Sequence, residues 1–318
     1  SIIFIYQTES RMESQKAKIV LYAKRTFGEK MNASFDFIKE NWKPLFKFTT
    51  YLLLPLCLVQ ALSLNSLMGS TMSLSSNIQA GGSNPLAIFG AMFWVNYGLA
   101  VLCSMIGMIL LTALVYALMR TYNEREERLE GITFSALRPL LMKNVGRMLK
   151  LTLFFFMLYL IVLAVIIGLA VLTLFSLLFT IPLLIACAIP MGLFAAIYLF
   201  ENVSIVTAFQ KTFRLGFATW GGVFLIMLIM SFIGGILQGI TMLPWYVATI
   251  VKYFFAMSEG GNVVTVSPLY SFFLYLLGIL QTFGAYLSMI FSLIGLAYQY
   301  GHASEVVDSV SVEEDIDK

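Results

Sequence analysis

The sequence predicts an all-α membrane protein, a polytopic helix bundle of six transmembrane helices forming three hairpins, each preceded by a cytoplasmic interfacial amphipathic helix. Three observations predict it. Hydrophobic residues make up 59% of the 318 residues and charged residues 12%, about half the charged share of an average soluble domain. Several apolar runs exceed the ~20 helical residues that cross a bilayer core. Lysine and arginine concentrate in alternate connections between these runs.

Six apolar runs are the predicted spans, at 45–66, 91–119, 150–174, 178–200, 222–243 and 268–299. The third and fourth lie in a stretch, 151–200, that contains no charged residue and is too long for one helix. We place the break between them at 176–182, where Thr180 and Pro182 favour a tight turn. Five or seven spans fit the distribution of charge less well.

The positive charges predict the orientation. Nine lysines and arginines lie in 1–47, seven in 120–150 and two in 201–221, whereas the loop 67–90 has none and 244–267 has only Lys252. Because cytoplasmic connections carry the excess of Lys and Arg, both termini are expected in the cytoplasm. In the 244–267 loop, Pro244 is expected to end the fifth span, with the aromatic residues after it on the outer surface.

The chain divides into a cytoplasmic N-terminal segment, 1–32, a six-span membrane domain, 33–300, and a tail, 301–318. The tail holds six acidic residues and one lysine, which predicts an acidic, disordered cytoplasmic end. The opening "SIIFIY" is too short for the core of a signal peptide. A fragment of a longer chain and a start at Met12 are both compatible with it.

Three segments share the pattern of a helix that lies in the membrane interface. They begin at Ala33, Thr133 and Ser204, and the predicted helices cover 33–43, 133–146 and 204–219. In the third, "SIVTAFQKTFRLGFATWGG", aromatic side chains recur every four residues, with the polar and basic residues largely on the other side. A threefold internal repeat and a chance similarity among basic amphipathic helices both explain the likeness.

These helices supply the candidate lipid contacts. The cations expected to contact lipid headgroups are Lys43, Lys143, Arg147, Lys211 and Arg214. The tryptophans expected to anchor the chain at the interface are Trp42, Trp220 and Trp245. Membrane lipids, anionic ones included, are therefore the expected partners.

The third segment also carries a resemblance. An acidic residue precedes an interfacial helix that leads directly into the next span, and small, aromatic and basic residues mark this helix. They are Glu201, then Ala208-Phe209, Phe213-Arg214 and Trp220. In this the chain resembles bacterial six-span inner-membrane proteins, namely the membrane domain of glycerophosphodiester phosphodiesterases and related uncharacterised families. The resemblance implies a six-span fold in the bacterial inner membrane over most of 30–300. It does not imply phosphodiesterase activity, which needs histidines and acidic metal ligands on a soluble barrel, because this chain has a single histidine.

The spans lack the residues of common membrane chemistry. No Asp, Glu, Lys, Arg or His lies in the core of a predicted span, which weighs against an ion-coupled transporter, a charged-substrate channel or an intramembrane hydrolase. One histidine and three scattered cysteines cannot form an ordinary zinc site. We therefore expect no enzymatic activity, no cofactor, no metal and no nucleic-acid partner.

Two functions remain in competition. The favoured one is a non-enzymatic integral membrane protein that associates with lipid or serves as a membrane subunit or scaffold; the alternative is a transporter or flippase for a neutral or amphipathic substrate. They differ in the role of the polar residues within spans. These either bond between helices or line a substrate cavity, and they are Gln60, Asn65, Asn96, Gln238, Gln281 and Gln299.

Small residues mark two ridges for close helix packing. One ridge is Gly235 and Gly239, and the other is Gly284, Ser288 and Ser292. Packing within the chain and formation of a homo-oligomer are both compatible with these ridges.

Overall fold

The computed structural model describes residues 17–79, 89–258 and 267–311, and the chain is helical without strands in those ranges. The helices are α1 (Phe27–Gln79), α2 (Ala91–Glu124), α3 (Phe134–Leu172), α4 (Leu177–Ala188), α5 (Phe194–Phe200), α6 (Ile205–Ala218), α7 (Trp220–Ser258) and α8 (Pro268–Val307). Short 3₁₀ turns, Leu174–Ser176 and Pro190–Leu193, flank α4.

Six stretches of the described residues are long and apolar enough to cross a membrane. They are Phe27–Met72, Ala91–Glu124, Phe134–Leu172, Leu174–Phe200, Trp220–Phe255 and Pro268–Val307. Each corresponds to one of the six runs predicted from the sequence, which confirms the all-α bundle of three hairpins. The protein is therefore a multi-pass membrane protein.

The first interfacial segment and the first span form one kinked helix. A capping box starts α1, because the Thr26 N–H donates to Glu29 Oε2 at 2.7 Å and the Glu29 N–H to Thr26 Oγ1 at 3.4 Å. The kink falls at Asn41, whose backbone leaves the helical region with φ −114° and ψ 19°. Pro44 explains it, since a proline inside a helix removes a backbone donor and crowds the preceding turn.

The second interfacial segment is not a separate helix, which corrects the sequence prediction. Thr133 caps α3 as its hydroxyl accepts from the Ala136 N–H at 3.3 Å, and the helix then runs unbroken to Leu172. Pro139 lies only six residues from the start, where the loss of one backbone bond is tolerated. Asn144 lies within this helix, and its amide side chain donates to the Ala113 carbonyl of α2 at 3.1 Å.

The break between the third and fourth spans falls earlier than predicted. The Thr173 N–H donates to the Leu169 carbonyl and ends α3, whereas Thr180 and Pro182 both lie inside α4. A second interruption, unforeseen from the sequence, occurs at Pro190. There a Cβ on Gly216 of α6 would lie 2.5 Å from the Pro190 Cβ, so glycine permits this close contact.

The third interfacial segment is a separate helix, α6. Ser204 caps it as predicted, accepting from the Thr207 N–H at 3.2 Å. It ends at Ala218, and Thr219 (φ −125°, ψ 31°) separates it from α7. The buried residues of α6 are Ala208, Thr212, Leu215 and Gly216, whereas Phe209 and Phe213 of the aromatic series are partly buried and Phe217 is exposed. Its orientation in a membrane stays a prediction.

The last hairpin is longer than expected. Pro244 does not end the fifth span, because α7 continues through it to Ser258. Long apolar helices tolerate an internal proline when neighbouring helices and side chains satisfy the freed groups. Ser267 caps α8, and the helix continues to Val307, so the first part of the predicted disordered tail is helical. Residues 312–318 of that tail lie outside the described residues.

The packed core lies nearer the end that carries α6. The largest fully buried side chains there include Phe37, Tyr116, Phe194, Tyr298 and Tyr300. In contrast, none of residues 152–188 is buried. A surface of that kind is stable against lipid, because hydrocarbon tails are as apolar as the side chains that meet them.

Candidate functional site at the basic end

Contacts between distant segments gather the positive charges at one end of the bundle. The joining pairs are Leu21 with Asn123, Arg25 with His302, Glu40 with Arg128, Arg147 with Tyr198, and Arg214 with Asp308. We call this the basic end and define it as residues 17–47, 120–150, 198–220 and 299–308. Every described lysine and arginine except Lys252 lies in it.

Three of the five predicted lipid contacts, Lys43, Lys143 and Arg214, are exposed at the basic end, and the two lysines have no ion pair among the described residues. Lys43 lies with its Nζ 5.9 Å from the ring centre of Trp42, and both side chains are exposed. Lys143 is also exposed and donates to Asn202 Oδ1 at 3.0 Å. Neither lysine forms an ion pair within the described residues, so both charges are available to lipid.

Arg147, a third predicted lipid contact, instead ties parts of the chain together. Its guanidinium donates to the carbonyls of Tyr198, Glu201 and Val203 at 2.6 to 3.0 Å. Its Cζ also lies 3.9 Å from the Tyr198 ring centre. These contacts fix the end of α5 and the turn before α6 against α3. The sequence prediction missed this role, because carbonyl partners leave no signal in residue type.

Lys211 and Arg214 belong to an ionic network. Lys211 Nζ lies 2.8 Å from Glu201 Oε1 and 3.2 Å from Asp308 Oδ2, and Arg214 lies 2.8 Å from Asp308 Oδ1. The buried Tyr300 hydroxyl donates to the same Glu201 oxygen at 2.6 Å. Asp308 comes from the predicted tail, so this network fastens the end of α8 to α6. Of the two cations, only Arg214 keeps an exposed side chain.

A cavity of about 590 Å³ opens between the start of α1, the start of α7 and the end of α8. We call it the basic cavity. Its basic side chains are Arg25, Lys30 and His302, and none of the described residues that line it is acidic. The sequence prediction used none of these three residues as a site.

Lys30 is the most unusual residue of the basic cavity. It is 4% exposed, and its Nζ donates to Gln299 Oε1 at 2.7 Å. Gln299 is fully buried and passes the network on, donating from Nε2 to Thr219 Oγ1 at 3.1 Å. Within the described residues Lys30 has no carboxylate partner. A buried ammonium group is normally paired, because burial removes its hydration.

The start of α7 contributes backbone donors to the basic cavity. The N–H groups of Trp220, Gly221 and Gly222 have no hydrogen-bond partner among the described residues, as expected for the first turn of a helix. Gly222 lies close to the lysine, since a Cβ built there would be 3.2 Å from Lys30 Nζ. Helix starts carry partial positive charge, so this turn adds to the positive potential.

Arg25 and His302 complete the basic side chains of the cavity, Arg25 as a cation and His302 as a neutral imidazole. The Arg25 N–H donates to His302 Nδ1 at 3.0 Å, which leaves Nε2 as the hydrogen-bearing nitrogen of that ring. The Arg25 guanidinium donates to the carbonyls of Val20 and Leu21 and lies 5.3 Å from the Tyr298 ring centre. Burial lowers the pKa of Arg25 from its ordinary value, and the Tyr298 and Glu29 charges oppose this shift.

A second cavity, of about 420 Å³, lies beside the kink of α1 and differs in charge. Glu40 there is already paired with Arg128 at 2.7 Å and accepts from the Tyr122 hydroxyl at 3.2 Å. Lys39 and Lys43 line it together with several glutamates. Mixed charge and internal pairing make it a weaker candidate for a ligand.

The three predicted tryptophan anchors differ in exposure in the structure. Trp42 is 56% exposed, as an interfacial residue would be. Trp220 is partly buried, and its indole N–H donates to the Ala186 carbonyl at 2.9 Å. Trp245 is only 5% exposed and donates to Asn65 Oδ1 at 2.7 Å, so the prediction that it is an interface anchor is wrong. Asn65 provides a partner inside the bundle.

Only one of the two predicted packing ridges makes close contacts in the structure. A Cβ on Gly284 would lie 2.1 Å from Thr241 Oγ1, and Ser288 packs against Gly234, so the second ridge joins α8 to α7. Ser292 is partly buried. Added Cβ atoms on Gly235 and Gly239 would meet nothing within 4 Å. The first ridge therefore has no packing role within the described chain.

The polar residues of the spans mostly bond between helices or to their own backbone. Gln60 donates to Ser104 Oγ and accepts from the Tyr286 hydroxyl, both at 2.8 Å. Asn96 donates to the Met92 carbonyl. The two cavities described above are lined by other residues than Gln238 and Gln281.

No protein-family model, curated protein or solved structure matches this chain. The resemblance to the membrane domain of glycerophosphodiester phosphodiesterases therefore stays a prediction. Among the described residues no group of three or more His, Cys, Asp or Glu side chains could hold a metal ion.

Proposed function

We propose that the protein is a non-enzymatic integral membrane protein of the bacterial inner membrane that associates with anionic phospholipids at its basic end. The observation that carries the proposal is the gathering of the described cations, apart from Lys252, at one end of a six-span bundle. A cytoplasmic leaflet rich in anionic headgroups attracts such a surface.

The orientation in this proposal rests on the same charges. Cytoplasmic connections carry the excess of Lys and Arg, which assigns the basic end, with the starts of α1 and α7 and the end of α8, to the cytoplasm. Cysteines introduced singly at exposed Lys143 and at Lys252 test it by labelling intact cells with a membrane-impermeant thiol reagent. Labelling at position 252 only supports the orientation, and labelling at position 143 only contradicts it.

Removal of exposed charge tests lipid association. Lys43→Gln combined with Lys143→Gln removes two cations that have no carboxylate partner in the described chain. Each cation near an anionic surface contributes ~1 kcal/mol, or about fivefold in affinity. We expect the double variant to retain several-fold less phosphatidylglycerol, measured by native mass spectrometry after extraction into polymer nanodiscs.

Lys252→Gln is the matched control, because it removes a lysine from the other end of the bundle. Its phosphatidylglycerol content should equal that of the parent protein. Equal retention by the double variant and the parent would contradict the proposal. A stoichiometric protein that copurifies would support the subunit form of the function instead. The transporter alternative stays a prediction, and neither of the two cavities described above is lined by Gln238 or Gln281.

A further inference from the structure

We propose that the basic cavity binds the terminal phosphate group of a membrane lipid. This inference rests on the proposed function and deepens it, because it assigns one site and one headgroup chemistry to a surface otherwise described by its charge. The cavity lies between the starts of α1 and α7 and the end of α8, where three segments distant in sequence meet.

The first argument is the charge on Lys30. A 4% exposed ammonium group with only the neutral Gln299 amide as partner has lost most of its hydration without gaining an opposite charge. A bound anion supplies that charge. The nearby acids are engaged elsewhere: Glu29 accepts from Thr26 at the start of α1, and Glu305 accepts from the Ser311 N–H at 2.7 Å.

The second argument is the number and kind of donors. The basic cavity presents Lys30 Nζ, the His302 ring, the Arg25 side chain and the first backbone N–H groups of α7. A phosphate monoester carries about −1.5 to −2 charges and three acceptor oxygens, which matches a convergent set of this size. A carboxylate has two oxygens and one charge, and a phosphodiester has one charge, so each would leave more of the set unused.

The third argument is the rim. Phe27, Phe217 and Val306 line the basic cavity and are 37%, 49% and 46% exposed. Trp220 lines it too and stacks on Phe224 with ring centres 5.6 Å apart. Apolar side chains around a cationic pocket suit a molecule with a phosphate at one end and hydrocarbon at the other. A soluble phosphate would use the cations and not the rim.

Gly222 gives a way to fill the site without removing charge. An added Cβ would lie 2.9 Å from Gln299 Nε2 and 3.2 Å from Lys30 Nζ, that is, directly against the buried lysine and its amide partner. Alanine is also a better helix former than glycine, so Gly222→Ala should not disturb α7 itself.

The test is a native mass spectrometry titration of the full chain with dioctanoyl phosphatidic acid, whose headgroup is a phosphate monoester. Dioctanoyl phosphatidylglycerol and inorganic phosphate are the comparison probes. We expect one phosphatidic acid per chain, bound more tightly than either comparison probe. Lys30→Gln and Gly222→Ala should each weaken it about tenfold or more, because a charged hydrogen bond is lost or obstructed.

The double variant Lys43→Gln/Lys143→Gln separates this inference from the proposed function. It should lower bulk phosphatidylglycerol retention and leave the single phosphatidic acid site unchanged. Equal phosphatidic acid affinity in the parent, Lys30→Gln and Gly222→Ala proteins would overturn the site while leaving general lipid association intact. If inorganic phosphate bound as tightly as phosphatidic acid, the site would be one for free phosphate, and its assignment to a lipid headgroup would be overturned. Thermal unfolding of each variant shows that it is folded.

Discussion

The two ends of this bundle are built in different ways. At the basic end, arginine and lysine side chains bond to carbonyls and acids from distant segments, and Phe37 and Tyr300 are fully buried. In the stretch 152–188 no residue is buried, and beyond the middle of the bundle the helices are joined by hydrogen bonds between uncharged groups, such as that of Trp245 to Asn65. The comparison teaches that lipid can complete an apolar surface, whereas polar groups need partners from the chain.

Arg147→Gln should lower the free energy of unfolding more than the other substitutions, because Arg147 holds separate segments of the basic end together. It removes bonds to three partly buried carbonyls that the shorter amide cannot all reach. Bonds to charged groups contribute ~1.5–3 kcal/mol, so we expect a free energy of unfolding lower by about 3 kcal/mol. Lys150→Gln, which changes an exposed cation one turn later, is the control in denaturant unfolding. Equal stability of the two variants would show that Arg147 does not hold the segments together.

Gly284→Ala and Gly239→Ala compare a tightly packed and an open glycine in the half of the bundle away from the basic end. The first places a Cβ against Thr241 Oγ1, and the second places one where nothing lies within 4 Å. Overpacking costs ~1–3 kcal/mol, so Gly284→Ala should lower the unfolding free energy by about 2 kcal/mol and Gly239→Ala by less than about 0.5. A larger loss with Gly239→Ala, accompanied by a change in oligomer mass, would point to contact with a second copy.

Trp245→Phe and Trp42→Phe form the pair with the smallest expected effect. Trp245 loses a 2.7 Å bond to Asn65 in a buried position, while the exposed Trp42 has no hydrogen bond among the described contacts. A single hydrogen bond contributes ~1 kcal/mol, so only Trp245→Phe should measurably lower the midpoint of thermal unfolding. Equal midpoints would contradict the buried position of Trp245.

The sequence predicted the transmembrane helices well, but it did not predict which side chains contact each other across the bundle. Apolar runs identified all six spans, and the third interfacial segment was predicted to begin at Ser204, the residue that caps α6. The prediction that Pro244 ends the fifth span was wrong, because a proline in an apolar helix does not reveal whether neighbours satisfy the carbonyl it frees. Trp245 misled for a similar reason, since Asn65 lies 180 residues away.

The site shows the same limit. Lys30 lies in the predicted N-terminal segment, 1–32, and His302 in the predicted tail, and the sequence analysis named neither as a candidate site residue. Nothing local indicated that α8 would bring Gln299 to Lys30 and that Gly222 of α7 would lie against both.

By itself the sequence predicted six helices able to cross a membrane and a concentration of lysine and arginine in alternate connections, because hydropathy and charge patterns can be read without knowing any tertiary partner. Only the tertiary structure decided which of those charges are used internally, as in Arg147 and Lys211, and which remain for a ligand, as in Lys30. That division depends on distances between helices far apart in the chain, which residue type alone does not encode.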